Sequence, residues 1–193
     1  MKHFRTSILV TIFWTIVVGG AYPLLMWGVG AVFFPHQAAG SLVVTEAGAA
    51  LGSSLIGQDF ESDRYFHPRP SAIGYDSSNS GASNLSWTSD ALKKAYEQRK
   101  ADWQKANGAG EPPMDVLFAS GSGLDPHISP QAAEAQVPRV TAARHLTADQ
   151  GKALLRLVQA HEEEPQLGFL GEPRVNVLLL NVAVDGAFPG AAP

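Results

Sequence analysis

Between Ser120 and Ser129 the chain reads SGSGLDPHIS, which sets a hydroxyl (Ser122), a carboxylate (Asp125) and an imidazole (His127) close together. Those are the groups of a hydrolase triad, although triads are assembled from separated segments and defined by geometry, not adjacency. Two readings stand: hydrolysis through Ser122 or His127, and a tight Gly/Ser turn leading into a helix. Successive N–H groups in such a turn also favour an anion. A second block, YFHPRPSA (65–72), holds His67 and Arg69 among two prolines that fix extended backbone. It reads equally as a rigid docking edge and as a loop whose aromatics tuck into a core. A third block, GFLGEPRVNVLLLN (168–181), puts Arg174 and Asn176 at the entry of an apolar run, with Glu172 or a partner subunit as the ion pair for Arg174.

Other chemistries lack their residues. There is no G-x-x-x-x-G-K-S/T phosphate loop and no G-x-S-x-G nucleophile elbow. The 6 histidines show no ligand spacing, and there is no cysteine to join them, so no metal site is expected. The net charge of −4 argues against a nucleic-acid partner. It is what an ordinary soluble surface carries, or a weak attraction for cations, which leaves a cation-binding domain as one alternative.

These blocks must be placed relative to a membrane. From Thr6 to Phe34 there is no charged residue. About 20 apolar residues span a bilayer, so this run predicts a transmembrane helix over 6–34 in contact with membrane lipid. A cleaved signal peptide would turn polar after Gly19-Gly20-Ala21, and here the apolar run continues to Phe34. Lys2 and Arg5 precede the helix, and no Lys or Arg occurs from Pro35 to Asp63. The positive-inside rule therefore puts residues 1–5 in the cytoplasm and exports the rest. Pro23 is expected to kink the helix, while Gly19, Gly20 and Gly28 allow a neighbouring membrane helix close.

The expected fold class is a mixed α/β extracytoplasmic domain over 35–185, followed by a flexible tail over 186–193. Without cysteine it must be held by its own core, for which about 160 residues suffice. Short strands are expected at Leu42–Val44, Leu51 and Leu55–Gly57, and a long irregular region at 63–84. Thr88–Asn107 reads as a helix stopped by Gly108, and Met114–Ala119 as a short strand. Ser129 and Pro130 open a helix to Gln136, Pro138 a second one to Arg144. Thr147 and Gln150 form a capping box for a helix to about His161, with Glu162–Glu164 as its solvated end. Val175–Val184 reads as a central strand covered on both faces.

The blocks LIGQDF (55–60), YFHPRPSA (65–72), SGASNL (80–85), SGSGLDPHISPQAA (120–133), QVPRVTAAR (136–144) and LGEPRVNVLLLNVAVD (170–185) resemble the C subunit of the bacterial Kdp potassium-transporting ATPase. The resemblance spans most of the exported part and includes the single N-terminal helix. It implies a non-catalytic subunit of an inner-membrane complex for potassium uptake. The implied partners are a P-type ATPase subunit and a channel-like potassium subunit. Its implied role is that of a catalytic chaperone raising the ATPase subunit's affinity for ATP, with no cofactor tightly bound to this chain and ATP reached only through the complex. It also implies nucleotide contact at Ser80, Gly81, Ser83, Asn84 and Gln136, although Ala82 stands where the family has a second glycine. Export of the domain conflicts with such contact. Arg69, Asp125, His127 and Arg174 are the expected docking residues, and Gly19, Gly20, Pro23 and Gly28 the contacts for membrane subunits.

Overall fold

A long uncharged run satisfies its backbone most simply as a helix, and in this computed structural model, which describes residues 2–45 and 48–189, it does so. The chain divides into two compact units, Met1–Ser53 and Ser54–Pro193.

In the first unit, α1 (Lys2–Ile16) passes through a π turn (Val17–Ala21) into α2 (Tyr22–Phe33). Within the span His3–Phe33 an 18-residue window reaches a mean hydropathy of 2.0, and the span is long and apolar enough to cross a membrane. The expected disturbance at Pro23 takes the form of this π turn. Proline offers no N–H, and its ring crowds the carbonyl four residues back. Just before it the ladder widens, so that the Tyr22 N–H donates to the Val17 carbonyl five residues away. One helical turn, α3 (Pro35–Ala38), and an antiparallel hairpin of β1 (Leu42–Val44) and β2 (Ala50–Ser53) complete the unit.

In the second unit, residues 54–89 contain no regular element. Then come α4 (Asp90–Asn107), α5 (Met114–Leu117), β3 (His127–Ile128), α6 (Pro130–Ala143), α7 (Ala148–Ala160), β4 (Glu162–Glu163), β5 (Arg174–Asn176) and α8 (Val177–Ala187). The strands form one antiparallel sheet in the order β3-β5-β4. Helix starts follow local chemistry. Ser129 Oγ accepts from Ala132 N at α6, and Thr147 and Gln150 form a reciprocal capping box at α7. The core joins Val137 and Val140 of α6, Leu154 and Val158 of α7, and Leu180 and Val184 of α8 around Phe66, a fully buried residue of the irregular region.

Phe66 and its neighbours carry buried backbone groups with no strand to pair them. Two side-chain amides take that place. Asn181 of α8 accepts from Phe66 N (2.8 Å) and donates to Phe66 O (3.0 Å). Gln136 of α6 does the same for His67, at 2.7 and 3.2 Å. Arg139 donates to the carbonyls of Asp63 (2.7 Å) and Tyr65 (3.0 Å), and Arg144 to that of Arg64 (2.7 Å). The irregular stretch 63–67 is thus clamped by helices in place of a sheet.

Several sequence expectations need correction. Val175–Val184 is a strand only at its start. Asn176 ends β5 and caps α8 by accepting from Leu179 N. Val177, Leu180, Asn181 and Val184 are then buried at helical spacing. Met114–Leu117 is a helical turn that buries Val116 and Leu117, not a strand. Pro138 starts no new helix; α6 runs through it, held by buried Gln136, Val137, Arg139 and Val140 on both sides. Glu162 and Glu163 form the edge strand β4 and are not the end of α7. Leu55–Gly57 is not a strand, and α8 continues to Ala187, into the expected tail, whose last four residues lie outside the described ones.

Removing one amide clamp strands a buried donor and acceptor together. Asn181→Ala should lower stability by about 2–4 kcal/mol. Thr141 Oγ1, by contrast, is buried without a hydrogen-bond partner, so Thr141→Val should be neutral or stabilising by about 1 kcal/mol. Thermal unfolding of the full chain in detergent distinguishes the two.

Candidate docking site

The turn 120–126 reaches its shape through close backbone contacts with residues 57–81. Gly57 N donates to Leu124 O at 2.8 Å, and a Cβ on Gly57 would lie 2.6 Å from the Asp125 carbonyl oxygen. Only glycine fits there. Gly81 N donates to Ser122 O (2.9 Å), Ser120 N to Pro70 O (3.1 Å), and Ser71 Oγ to Gly123 O (2.7 Å). The Pro-flanked segment and the Gly/Ser turn are therefore laced together, which brings Arg69 to Asp125.

Arg69 Nη1 donates to Asp125 Oδ2 at 2.9 Å, and its Nε to Asp115 O at 3.3 Å. The Tyr75 hydroxyl donates to Arg69 O at 2.6 Å, fixing the backbone behind the guanidinium. Asp125 Oδ1 accepts from His127 N (3.0 Å), with His127 Nδ1 3.6 Å away. Asp115 accepts from both the backbone N (2.7 Å) and Oγ (3.1 Å) of Ser129. Across the sheet, Arg174 pairs with Glu163 at 2.9 Å, not with Glu172. Arg69, Asp125, His127 and Arg174 all line one cavity of about 220 Å³. His127 and Arg174 also line a neighbouring cavity of about 460 Å³ with Asn176 and Leu179. The four expected docking residues, from segments more than 100 positions apart, are thus brought together at a half-buried, charge-paired surface.

Burial alone would raise the Asp125 carboxyl. Hydrogen bonds from the side chain and backbone of His127, joined by Arg69, outweigh it and hold that carboxyl below its ordinary value. Asp125 is therefore a fixed anion that orients its two neighbours.

The hydrolase arrangement does not form. Ser122 Oγ accepts from Leu124 N within its own turn (3.1 Å), while His127 turns to Asp125. The five residues expected at a nucleotide do not share one set of hydrogen bonds. Ser80 and Gly81 bond to Ser122 O, Asn84 bonds to Ala82 O, and Ser83 is exposed. Gln136 is fully buried, and its amide is used by His67 and Arg139. In the first unit, Gly19 and Gly20 lie in the π turn, Pro23 at the start of α2 and Gly28 within it. Among the described residues no group of His, Asp or Glu is arranged for a metal ion.

Sequence reasoning missed Arg139, Arg144, Asn181 and Asp115. Arg139 donates to four oxygens, including Gln136 Oε1 (2.6 Å) and Asn107 Oδ1 (3.0 Å). Arg144 binds Asp185 (2.7 Å) and sits 5.0 Å from the centre of the Tyr65 ring. The available signal was the placing of two arginines among the apolar positions of QVPRVTAAR, since buried cations demand partners.

Burial, aided by the Arg139 charge, holds the His67 imidazole below its ordinary value. The unfolded chain takes up that proton as pH falls past about 6.5, and the folded chain resists it. Stability from His67 is fully present above about pH 6.5 and is lost as pH falls from there toward the lowered folded value. The melting temperature should decline through this window and decline less in His67→Gln. Loss from the depressed Asp125 falls in a separate, more acidic window, and Asp125→Asn should remove it.

A family model described as "K+-transporting ATPase, c chain" matches residues 4–186. The chain is 47% identical over 192 residues to the potassium-transporting ATPase KdpC subunit of Geobacter sulfurreducens, covering 98% of this chain and 100% of that protein. It is 48% identical over 187 residues to the KdpC subunit of Acidobacterium capsulatum (96% and 98% covered) and 46% identical over 187 residues to that of Cereibacter sphaeroides strain KD131 (97% and 98% covered).

Proposed function

Because this chain belongs to the KdpC family, the c chain of the K+-transporting ATPase, we propose that it is the assembly and regulatory subunit of an ATP-driven potassium-uptake complex. It hydrolyses no ATP itself. It stabilises the complex and raises the ATP affinity or turnover of the P-type ATPase subunit, with the channel-like potassium subunit as its second partner. The observation that carries this reading is the convergence of Arg69, Asp125, His127 and Arg174 on one cavity, as paired charges and not as a nucleophile with its base. Such a surface positions a partner more readily than it attacks a bond.

The helix within residues 6–34 anchors the chain once, with the N-terminus in the cytoplasm and the α/β domain outside. Lys2 and Arg5 before the helix, and the lack of Lys or Arg from Pro35 to Asp63, support that orientation. Gly19, Gly20, Pro23 and Gly28 form the face toward the membrane subunits. Direct ATP contact through Ser80, Gly81, Ser83 and Asn84 would require the domain to face the cytoplasm. Gln136 could join only by releasing His67 and Arg139.

Since cysteine is absent, Ala109→Cys introduces a single thiol on an exposed loop. In intact spheroplasts it should react fully with an impermeant thiol reagent; protection until lysis would reverse the orientation and revive nucleotide contact. The purified chain should show no ATP turnover, whereas wild-type protein should co-purify with the other subunits.

A further inference from the structure

The turn between β4 and β5 is built against its own preferences. Gln166 and Leu170 exchange backbone hydrogen bonds at 2.9 Å in both directions, and Phe169 N donates to Gln166 O at 3.3 Å. The two residues between Gln166 and Phe169, Leu167 and Gly168, have φ of 56° and 79°. A turn with positive φ at both central positions favours Asn, Asp or Gly first. Leucine there is strained, and burial does not offset the strain: Leu167 is 82% exposed, Phe169 73% and Leu170 49%. A closed turn thus holds three large apolar side chains out in solvent, the kind of aromatic and aliphatic anchor that fills a pocket on a partner.

The flanks choose between partners. Glu162, Glu163, Glu164 and Glu172 surround the turn, and the sole basic residue from 162 to 174, Arg174, is already bonded to Glu163. An anionic lipid surface would be repelled by these carboxylates, and so would the same loop of a second copy. A protein pocket that is apolar inside and basic at its rim fits both features. We propose that Leu167, Phe169 and Leu170 form a plug that seats in such a pocket on another subunit of the potassium-transporting ATPase complex. This rests on the subunit role proposed above.

The test places the photo-crosslinking residue p-benzoylphenylalanine at position 169 of the full chain, co-expressed with the other subunits. Illumination of the purified complex should give an adduct with another subunit of the complex, identified by mass spectrometry. Adducts only with lipid, only with a second copy of this chain, or none at all would overturn the plug. If the chain still co-purifies in those cases, the subunit role survives; if wild-type chain fails to co-purify, that role itself fails. A second arm uses Leu167→Asn with Phe169→Ser, a pair that suits the turn better. The melting temperature should hold or rise while complex recovered at fixed salt falls at least tenfold. Unchanged recovery would also overturn the proposal. Glu172→Lys should weaken assembly and flatten its dependence on salt; stronger assembly would count against a basic rim.

Discussion

The second unit depends on how residues 63–67 keep their buried backbone polar groups satisfied. A segment with two prolines close behind it is a poor sheet strand, yet Phe66 must enter the core. The solution is a set of side chains that imitate strands. The amides of Asn181 and Gln136 each present one acceptor and one donor, the same pair that an adjacent strand would present. Arg139 and Arg144 add donors to the carbonyls left over. Gln136 and Arg139 lie in α6, Arg144 just past its end and Asn181 in α8, so the clamp ties both helices to the segment that carries Phe66.

The charge-paired cavity follows from this clamp. Once His67 is held, the chain leaves in extended form through Pro68 and Pro70, and Arg69 is delivered to Asp125 with little freedom. The Gly/Ser turn meets it from the other side, shaped by the contact at Gly57. The site is therefore a meeting of two loops, each made rigid by backbone contacts outside the site. Its charges are then mutually committed: Arg69 with Asp125, Arg174 with Glu163.

What was legible in the sequence was whatever depended on neighbours along the chain. The long apolar N-terminal helix, the Ser129 cap, the Thr147–Gln150 box and the stop at Gly108 are local, and each helical feature stands where expected. The four charged residues that line the cavity were individually visible because Pro, Gly and charge punctuate their segments. What was hidden depended on tertiary burial. VNVLLLNVAV has only two polar residues, five positions apart, so neither a period of 2 nor one of 3.6 stands out, and Asn176 and Asn181 gain meaning only through Leu179 and Phe66. Gln136 was read through the family as a nucleotide ligand, whereas its surroundings make it a backbone clamp. The choice of Glu163 over Glu172 for Arg174 required the β4–β5 pairing, which the acidic run had concealed.

The π turn at Val17–Ala21 has a consequence for how the anchor meets its surroundings. One extra residue in a helical turn advances every later side chain by about 100° around the axis. A stripe traced along α1 therefore does not continue along α2 at heptad or helical spacing. The side chains of α1 and α2 follow separate helical rows, and the glycines of the helix, Gly19, Gly20, Gly28 and Gly30, all lie from the π turn onward.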